Sequence, residues 1–398
     1  MPDQDDALRQ LDSLVQLALR VATSAPSGRI ALAKLATSID PSWMPPPWDK
    51  TIWPQLVAAR EAAVADQLSF KTVEGVLQSA WGAKWTEELD SLESSPVAVT
   101  ASSQVHRGAL DGKPVAVKVL KPGLMSSVRQ DLTLLDTLVG PLRSAFPAID
   151  PAALVREARE RVMDELDLEQ EASVTRQFDR ALRGSDWLVV PTPVGRLCHQ
   201  DVIVTAWLDG KPLSAGVADP DAVAAALVRF VLGGLRVGLV HADLDLDDVL
   251  VMPDGRVGVL DFGCVAPVVT GRVDHALAVV DAFAAGDASG LGRALQALGL
   301  LDAERGALAL SVATAALGPL GKEAPALLDV RAVVDVMKRV ESVGRDAVTL
   351  LVSGGLEPAD LWPGRAIGHL FSVIARVGAT ASWPELVREA LELGWSER

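Results

Sequence analysis

The 398-residue sequence contains no tyrosine and only two cysteines. The missing tyrosine excludes any mechanism that uses a Tyr acid or nucleophile. The two thiols, Cys198 and Cys264, cannot build a disulfide framework and do not form a CxxC motif. They are therefore predicted to be buried apolar thiols of a cytoplasmic protein.

An excess of positive charge is also missing. The chain has 37 Lys and Arg residues against 52 Asp and Glu residues, and its formal net charge is −15. A nucleic-acid-binding protein normally carries a basic face, so no nucleic-acid partner is predicted. Hydrophobic residues make up 49% of the chain, which excludes a disordered protein.

Long uncharged runs are absent as well. The longest lies between Arg305 and Lys322, is shorter than the ~20 residues that a spanning helix needs, and is interrupted by Gly318-Pro319. The acidic segment 1–6 does not resemble a signal peptide. These features favour a cytoplasmic protein, with peripheral membrane contact through a surface-lying helix as an alternative. The oligomeric state is not predicted.

The periodicity of apolar residues predicts an α+β protein in two lobes. A helical N-terminal extension is expected over residues 1–90. A small β-rich lobe with a long helix over 151–183 follows at residues 91–213, and a helical lobe occupies residues 214–398. Strands are predicted on both sides of Asp111-Gly112, and a further hairpin surrounds Pro253-Asp254-Gly255.

Three separated motifs carry candidate chemistry. Val115-Ala116-Val117-Lys118 is an apolar strand ending in a lysine, which can reach a phosphate as a point charge. Its counter-ion is expected on the following long helix, which offers Glu165, Asp167, Glu169 and Glu171. Asp243 of His-Ala-Asp lies eighteen residues before Asp261 of Asp-Phe-Gly. This order is typical of a kinase catalytic lobe, in which the first aspartate orients or deprotonates the nucleophile and the second binds Mg²⁺.

The segment 243–248 also permits an alternative hypothesis, a calcium-binding loop, because it begins Asp-x-Asp-x-Asp. Such a loop needs glycine at its sixth position and a bidentate Glu at its twelfth, and this chain has Asp248 and Asp254 there. The strand-forming residues 249–251 inside the loop also disfavour calcium binding.

From about residue 31 to its C-terminal helices the chain resembles the UbiB/AarF family of atypical kinase-like proteins. The resemblance rests on VAVKVLKPGL (115–124), ELDLEQEA (165–172), VTAWLDGKPL (204–213) and PDGRVGVLDFGCV (253–265). It implies a bilobal protein-kinase-like fold that uses ATP or ADP with Mg²⁺. It further implies a role in isoprenoid quinone or lipid metabolism, with an isoprenoid lipid as a possible partner.

The resemblance also assigns residue roles. Lys118 contacts the nucleotide phosphates, Glu171 is its helix partner, Asp243 is the catalytic aspartate and Asp261 is a metal ligand. Asp248 stands where the family has its metal-binding asparagine. Residues 97–103 correspond to the family's alanine-rich phosphate loop, and the backbone at the hinge meets adenine. The matching positions are Ala98, Thr100, Ser102 and Ser103 in the loop, Trp207 and Leu208 in the hinge, and Lys34, Glu165 and Asp167 in the KxGQ and ExD motifs of the regulatory extension.

Departures from the family pattern leave two hypotheses. KxGQ has become Lys34-Leu35-Ala36-Thr37, and the catalytic loop, close to HADPHPGN in the family, is HADLDLDD here. An ATP-dependent phosphotransferase or ATPase is one hypothesis. A pseudokinase that senses nucleotide, or binds a partner or lipid without turnover, is the other. The isolated His199, His275 and His369 are predicted to be structural.

Overall fold

The computed structural model describes residues 4–44, 48–146 and 149–396. The N-terminal extension is helical. Its helices are α1 (Gln4–Ser24), α2 (Pro26–Ser38), α3 (Trp48–Thr51), α4 (Trp53–Ala65) and α5 (Phe70–Trp81). Helix α5 begins where the sequence predicts, because the Ser69 hydroxyl accepts a hydrogen bond from the Thr72 amide at 3.2 Å, and it ends before Gly82 with φ +90°.

The next segment forms an antiparallel sheet flanked by helices. Strand order is β1-β3-β4-β6, with β2 also paired to β3. The elements are β1 (Ser91–Leu92), β2 (Ala98–Val99), β3 (Ser103–Leu110), β4 (Lys113–Leu120), α6 (Leu124–Asp131), α7 (Asp136–Ala145), α8 (Pro151–Glu165), α9 (Leu168–Ala181), β5 (Leu188–Val189) and β6 (Val202–Ala206).

The two-residue period of β4 decides which side chains face the cleft. Val115, Val117 and Val119 are buried in one apolar core that includes Leu77 of α5. Lys118 lies between two of these valines and therefore projects from the opposite face of the strand, toward α9. The strand pattern thus places one cation, Lys118, within the otherwise apolar run 115–120.

The remaining chain is largely helical and contains three small sheets. The four-stranded sheet has the order β5-β10-β9-β7, and β8 pairs with β11 and β12 with β13. The elements are β7 (Lys211–Pro212), α10 (Pro220–Val237), β8 (Leu239–His241), β9 (Val249–Val251), β10 (Val257–Val259), β11 (Val265–Pro267), α11 (Val273–Ala284), α12 (Ala288–Ala297), α13 (Gly306–Leu317), β12 (Ala326–Leu328), α14 (Val330–Ser342), α15 (Gly344–Ser353), α16 (Leu361–Val377), β13 (Ala379–Ala381) and α17 (Trp383–Leu393).

The predicted α+β class is confirmed, and both predicted hairpins are present as β3–β4 and β9–β10. The single helix predicted over 151–183 is wrong: the chain breaks between Glu165 and Leu168 into α8 and α9. Asp167 causes the break, because its extended backbone and carboxylate cap the second helix. Within the described residues no helix has both the length and the apolar character needed to cross a bilayer.

Candidate functional site

Lys118 lies at the centre of an ionic cluster between the sheet and the helical lobe. Its Nζ is 3.0 and 2.9 Å from the two carboxylate oxygens of Glu171 and 2.9 Å from Asp261 Oδ1. Burial lowers the pKa of Lys118, but the negative charges of Asp261 and Glu171 outweigh burial and raise it well above its usual value. The ammonium group is therefore charged throughout the physiological pH range.

Helix α9 brings Glu171 to the lysine. The Asp167 carboxylate accepts hydrogen bonds from the amides of Glu169 at 3.0 Å and Gln170 at 3.1 Å, which fixes the first turn of the helix. Glu171 follows in that turn and is only 5% exposed. A buried carboxylate needs a counter-charge, and Lys118 provides it. The choice that the residue pattern left open among four carboxylates is thereby resolved in favour of Glu171.

The antiparallel pair β8–β11 brings the two motif aspartates to one place. Val265 is the register partner of His241, and the Ala242 amide donates to the Cys264 carbonyl at 2.9 Å. Asp243 follows the end of β8, and the loop that carries Asp261 leads into the start of β11 next to it. The two aspartates are therefore brought together although eighteen residues separate them in the sequence.

The His241 ring forms hydrogen bonds with the backbone of both aspartates. Its Nδ1 accepts from the Asp243 amide at 3.4 Å, so Nε2 carries the proton and donates to the Asp261 carbonyl at 2.8 Å. Burial lowers the pKa of His241, which keeps the ring neutral at pH 7 and this tautomer in place. The ring also contacts Phe262 edge-on, with 5.3 Å between ring centroids.

Asp261 has a left-handed backbone, with φ +52°. Aspartate tolerates this region better than most residues because its short side chain can bond to the local backbone. Here Oδ1 accepts from the Gly263 amide at 3.2 Å. A side chain at Gly263 would lie 3.2 Å from the same oxygen and 3.4 Å from Glu171 Oε2, so glycine leaves room for both carboxylates.

Asp243 is paired with α16, which the sequence did not single out. Arg365 Nη2 lies 2.5 Å from Asp243 Oδ1, and His369 Nδ1 lies 3.7 Å from the same oxygen. His369 was predicted to be structural, yet it lies beside the motif aspartate. The only available signal was the spacing of Arg365, His369, Ser372 and Arg376, which are four, three and four residues apart on one helical face.

The segment 243–248 is rich in carboxylates. Burial raises the pKa of Asp248 well above its usual value, and the negative charges of Asp261, Asp245 and Asp243 raise it further. Asp245 lies 3.7 Å from the Arg376 guanidinium, and Asp247 accepts from the Ser214 hydroxyl. The predicted strand inside the alternative calcium loop is present as β9.

The donor set of Asp248 and Asp261 fits a hard divalent cation. Both supply carboxylate oxygens, and burial together with the neighbouring aspartates Asp261, Asp245 and Asp243 raises the pKa of Asp248, an effect that a bound cation would oppose. In the part of the chain that the structure describes, no three His, Cys, Asp or Glu side chains converge as a metal cluster. Mg²⁺ commonly binds through one or two carboxylates together with substrate phosphates, which matches this arrangement.

The Thr100 side chain forms hydrogen bonds across the loop over residues 97–103. The Thr100 hydroxyl accepts from the amides of Ser102 at 3.3 Å and Ser103 at 3.0 Å, and its amide donates to the Ser103 carbonyl at 2.9 Å. Ala98 lies in β2, opposite Val105. The amides of Ser102 and Ser103, two residues predicted to bind nucleotide, are therefore already bonded to Thr100.

The residues predicted for the hinge, Trp207 and Leu208, follow strand β6. The Trp207 amide donates to the Pro114 carbonyl at 3.1 Å, and the Arg107 guanidinium lies 4.9 Å from the Trp207 ring centroid. Leu208 is the next residue and packs near Gly258 of β10. Lys34 lies in α2, and its side chain is outside the described part of the structure.

A cavity of about 380 Å³ lies between α2 of the extension and helices α6, α8 and α16. Its polar lining residues include Arg365, His369 and Glu165. Its apolar lining residues are Ile30, Ala31, Leu35, Val128, Val162 and Leu166. Glu165 of the ExD motif thus faces this cavity, whereas Asp167 of the same motif caps α9.

Two lobes around a lysine–glutamate pair, with His-x-Asp and Asp-Phe-Gly loops opposite it, define an atypical kinase-like protein. The model of the ABC1 atypical kinase-like domain matches residues 62–295. The chain belongs to this family, and the resemblance to UbiB/AarF proteins is confirmed.

Individual relatives agree with this assignment. The chain is 30% identical over 227 residues to the uncharacterized protein slr0889 of Synechocystis sp. (strain ATCC 27184 / PCC 6803 / Kazusa), covering 52% of this chain and 54% of that protein. It is 33% identical over 165 residues to the mitochondrial atypical kinase coq-8 of Caenorhabditis elegans, covering 40% of this chain and 21% of that protein. The matches therefore span about half and about a fifth of these curated relatives.

A solved structure is similar over most of the fold. The structure of Rv3197 from Mycobacterium tuberculosis in complex with erythromycin is 25% identical, with a TM-score of 0.65 over 85% of this chain and 87% of that one. This likeness extends beyond the matched domain and agrees with the bilobal kinase-like fold predicted from sequence.

Proposed function

We propose that the chain binds Mg-ATP in the cleft between its sheet and its helical lobe and transfers the γ-phosphoryl group to water or to a hydroxyl-bearing acceptor. The observation that carries this proposal is the Lys118 cluster, in which one strand lysine contacts both Glu171 and Asp261 within 3.0 Å. Phosphoryl transfer needs such a lysine held in place and an aspartate beside it that orients the nucleophile.

Each of these residues has its own role in the proposed reaction. Lys118 donates to the α- and β-phosphates, and Glu171 holds the lysine in position. Asp243 orients the acceptor and takes its proton as the new P–O bond forms and the bond to the leaving ADP breaks. Asp248 and Asp261 would hold Mg²⁺, which neutralises charge on the phosphates.

Nucleotide binding is tested by thermal shift with Mg-ATP and Mg-ADP at millimolar concentration. Lys118→Ala should abolish a shift that the wild type shows. Lys113→Ala, an exposed lysine on the same strand, is the matched control and should leave the shift unchanged. The absence of any wild-type shift would refute nucleotide binding.

Turnover is tested by phosphate release in the wild type and in Asp243→Asn. Equal rates would show that Asp243 has no part in any activity measured. A shift with nucleotide but no phosphate release would favour the second candidate, a pseudokinase that senses nucleotide. Two observations support that candidate, namely the Thr100 bonds that occupy loop amides and the Arg365 contact on Asp243.

We further propose a cytoplasmic protein that supports isoprenoid quinone or lipid metabolism, with peripheral membrane contact. The 380 Å³ cavity, whose lining residue Arg365 contacts Asp243, supports an apolar acceptor, because most of its lining is apolar and a few polar side chains join it. The test is to repeat phosphate release with membrane lipid added. Stimulation in the wild type but not in Asp243→Asn is expected, and an unchanged rate would contradict the lipid role.

A further inference from the structure

We propose that His369 binds the hydroxyl group of the acceptor through its Nε2 atom, so that the 380 Å³ cavity selects molecules that donate a hydrogen bond there. The proposal rests on the apolar, hydroxyl-bearing acceptor proposed above and adds a specificity-determining residue to it. It begins from α16, from which both Arg365 and His369 line the cavity.

One edge of the His369 ring is fixed by the catalytic loop. Nδ1 lies 3.0 Å from the Leu244 carbonyl oxygen, which can only accept, so Nδ1 carries the proton and donates the hydrogen bond. The Ser38 hydroxyl is 3.5 Å and Asp243 Oδ1 is 3.7 Å from the same nitrogen. Burial lowers the pKa of His369 more than the charge of Asp243 raises it, so the ring is neutral at pH 7.

The other ring nitrogen is an acceptor that the protein does not use. Within the described part of the chain, every polar contact of His369 is made through Nδ1, which leaves Nε2 with none. A neutral imidazole protonated at Nδ1 can only accept at Nε2. Because Nδ1 faces the loop, the remaining edge of the ring is left to face the cavity that His369 lines. The side chain is only 13% exposed, so a ligand without a donor would leave this acceptor unsatisfied.

Arg365 lies one helical turn before His369 and complements it. One of its five N–H groups contacts Asp243, and the side chain is 29% exposed and lines the same cavity. A hydroxyl group can accept from Arg365 and donate to His369 at once, whereas an ether or carbonyl oxygen can only accept. The pair therefore distinguishes alcohols and phenols from ethers, aldehydes and quinones of the same carbon skeleton.

The apolar lining of the cavity sets the size of the ligand. A cavity of about 150 Å³ holds one benzene molecule, so a cavity of about 380 Å³ has room for an apolar body roughly twice as large. Leu35 is 42% exposed, which leaves the cavity open beside α2. The short isoprenoid alcohol geraniol is therefore a suitable probe.

The experiment measures the binding of geraniol and of geranyl methyl ether by calorimetry, without nucleotide. The wild type should bind geraniol roughly tenfold more tightly than the ether, because only the alcohol satisfies Nε2. His369→Asn keeps an amide donor for the Leu244 carbonyl but has no acceptor in place of Nε2, so the affinity ratio should fall to about one. His275→Asn, which replaces an exposed histidine on α11, is the matched control and should leave the ratio unchanged.

A second variant tests whether the cavity is the binding site. Ala31 is an exposed lining residue, so Ala31→Trp should block the cavity and weaken both ligands. A wild type that binds neither ligand, or binds both equally, overturns the assignment even if His369→Asn does not fold. An unchanged ratio in His369→Asn, or unchanged binding in Ala31→Trp, also overturns it.

The failure of this assignment is distinguishable from the failure of the proposed function, because binding is measured without nucleotide. Selectivity for the alcohol without phosphate release overturns the proposed turnover alone. Phosphate release without selectivity for the alcohol overturns the assignment of His369 alone.

Discussion

Replacing Lys118 by methionine removes the cation from two carboxylates while keeping the length of the side chain. Glu171 is 5% exposed and Asp261 is 33% exposed. Removing the lysine charge therefore mainly leaves the buried carboxylate of Glu171 without its counter-charge. Breaking a buried ion pair from one side costs roughly 3–5 kcal/mol. Because the cluster is partly open to water, we expect the lower end, about 3 kcal/mol of the free energy of unfolding.

The pH dependence of this loss gives a sharper signature than its size. Without Lys118 the folded-state pKa of Glu171 should rise above its unfolded value of about 4.3. A carboxyl group whose pKa is raised on folding destabilises the fold above that pKa and has no effect below the unfolded value. The deficit of Lys118→Met should therefore shrink as the pH falls from about 7 to about 5.

The assay is urea unfolding of wild type, Lys118→Met and the exposed control Lys113→Met at several pH values. Lys113→Met should stay within about 0.5 kcal/mol of the wild type. The wild type itself should lose stability above about pH 10.4, because the raised pKa of Lys118 makes its contribution fade as the lysine deprotonates. A deficit under about 1 kcal/mol at neutral pH, or one that does not change with pH, would refute the reasoning.

Three further outcomes are expected. Asp167→Ala should lower the free energy of unfolding by about 1 kcal/mol through loss of the α9 cap, with Asp167→Asn much milder in the same urea titration. Asp248→Asn should raise the melting temperature of the nucleotide-free protein at neutral pH, because a carboxyl group whose pKa is raised on folding destabilises the fold there. This gain should vanish below about pH 3.9, the unfolded pKa of aspartate. Thr100→Ala should free the amides of Ser102 and Ser103 and tighten Mg-ADP binding by about two- to tenfold in calorimetry, and weaker binding would contradict this.

The order of lobes and the motif aspartates could be predicted from sequence because they rest on local signals. Alternating valines identify β4 and leave Lys118 on its other face, and Asp111-Gly112 marks the hairpin turn. The eighteen-residue spacing from Asp243 to Asp261 leaves room for a hairpin between them. Each of these inferences needs only the chemistry of neighbouring residues.

The contacts that the sequence did not predict depend on tertiary packing. Arg365 follows Asp243 by 122 positions and reaches it only because α16 packs beside the catalytic loop. Likewise, the break at Asp167 interrupts an otherwise helical pattern, and a capping carboxylate there is hard to distinguish from a solvated one. The inward turn of the Thr100 hydroxyl is a rotamer choice that composition does not determine.

The β8–β11 pairing has a consequence for motion. Asp243 and Asp261 are both adjacent to the β8–β11 pair and must move together. Lys118 and Glu171 belong to the other lobe, in strand β4 and the flanking helix α9. Of the two lysine contacts, only the 2.9 Å contact with Asp261 crosses the cleft. A hinge opening between the lobes therefore breaks that contact first and leaves Lys118–Glu171 intact. Because Asp261 is the more exposed partner, dissolved salt weakens the crossing contact preferentially and favours the open cleft.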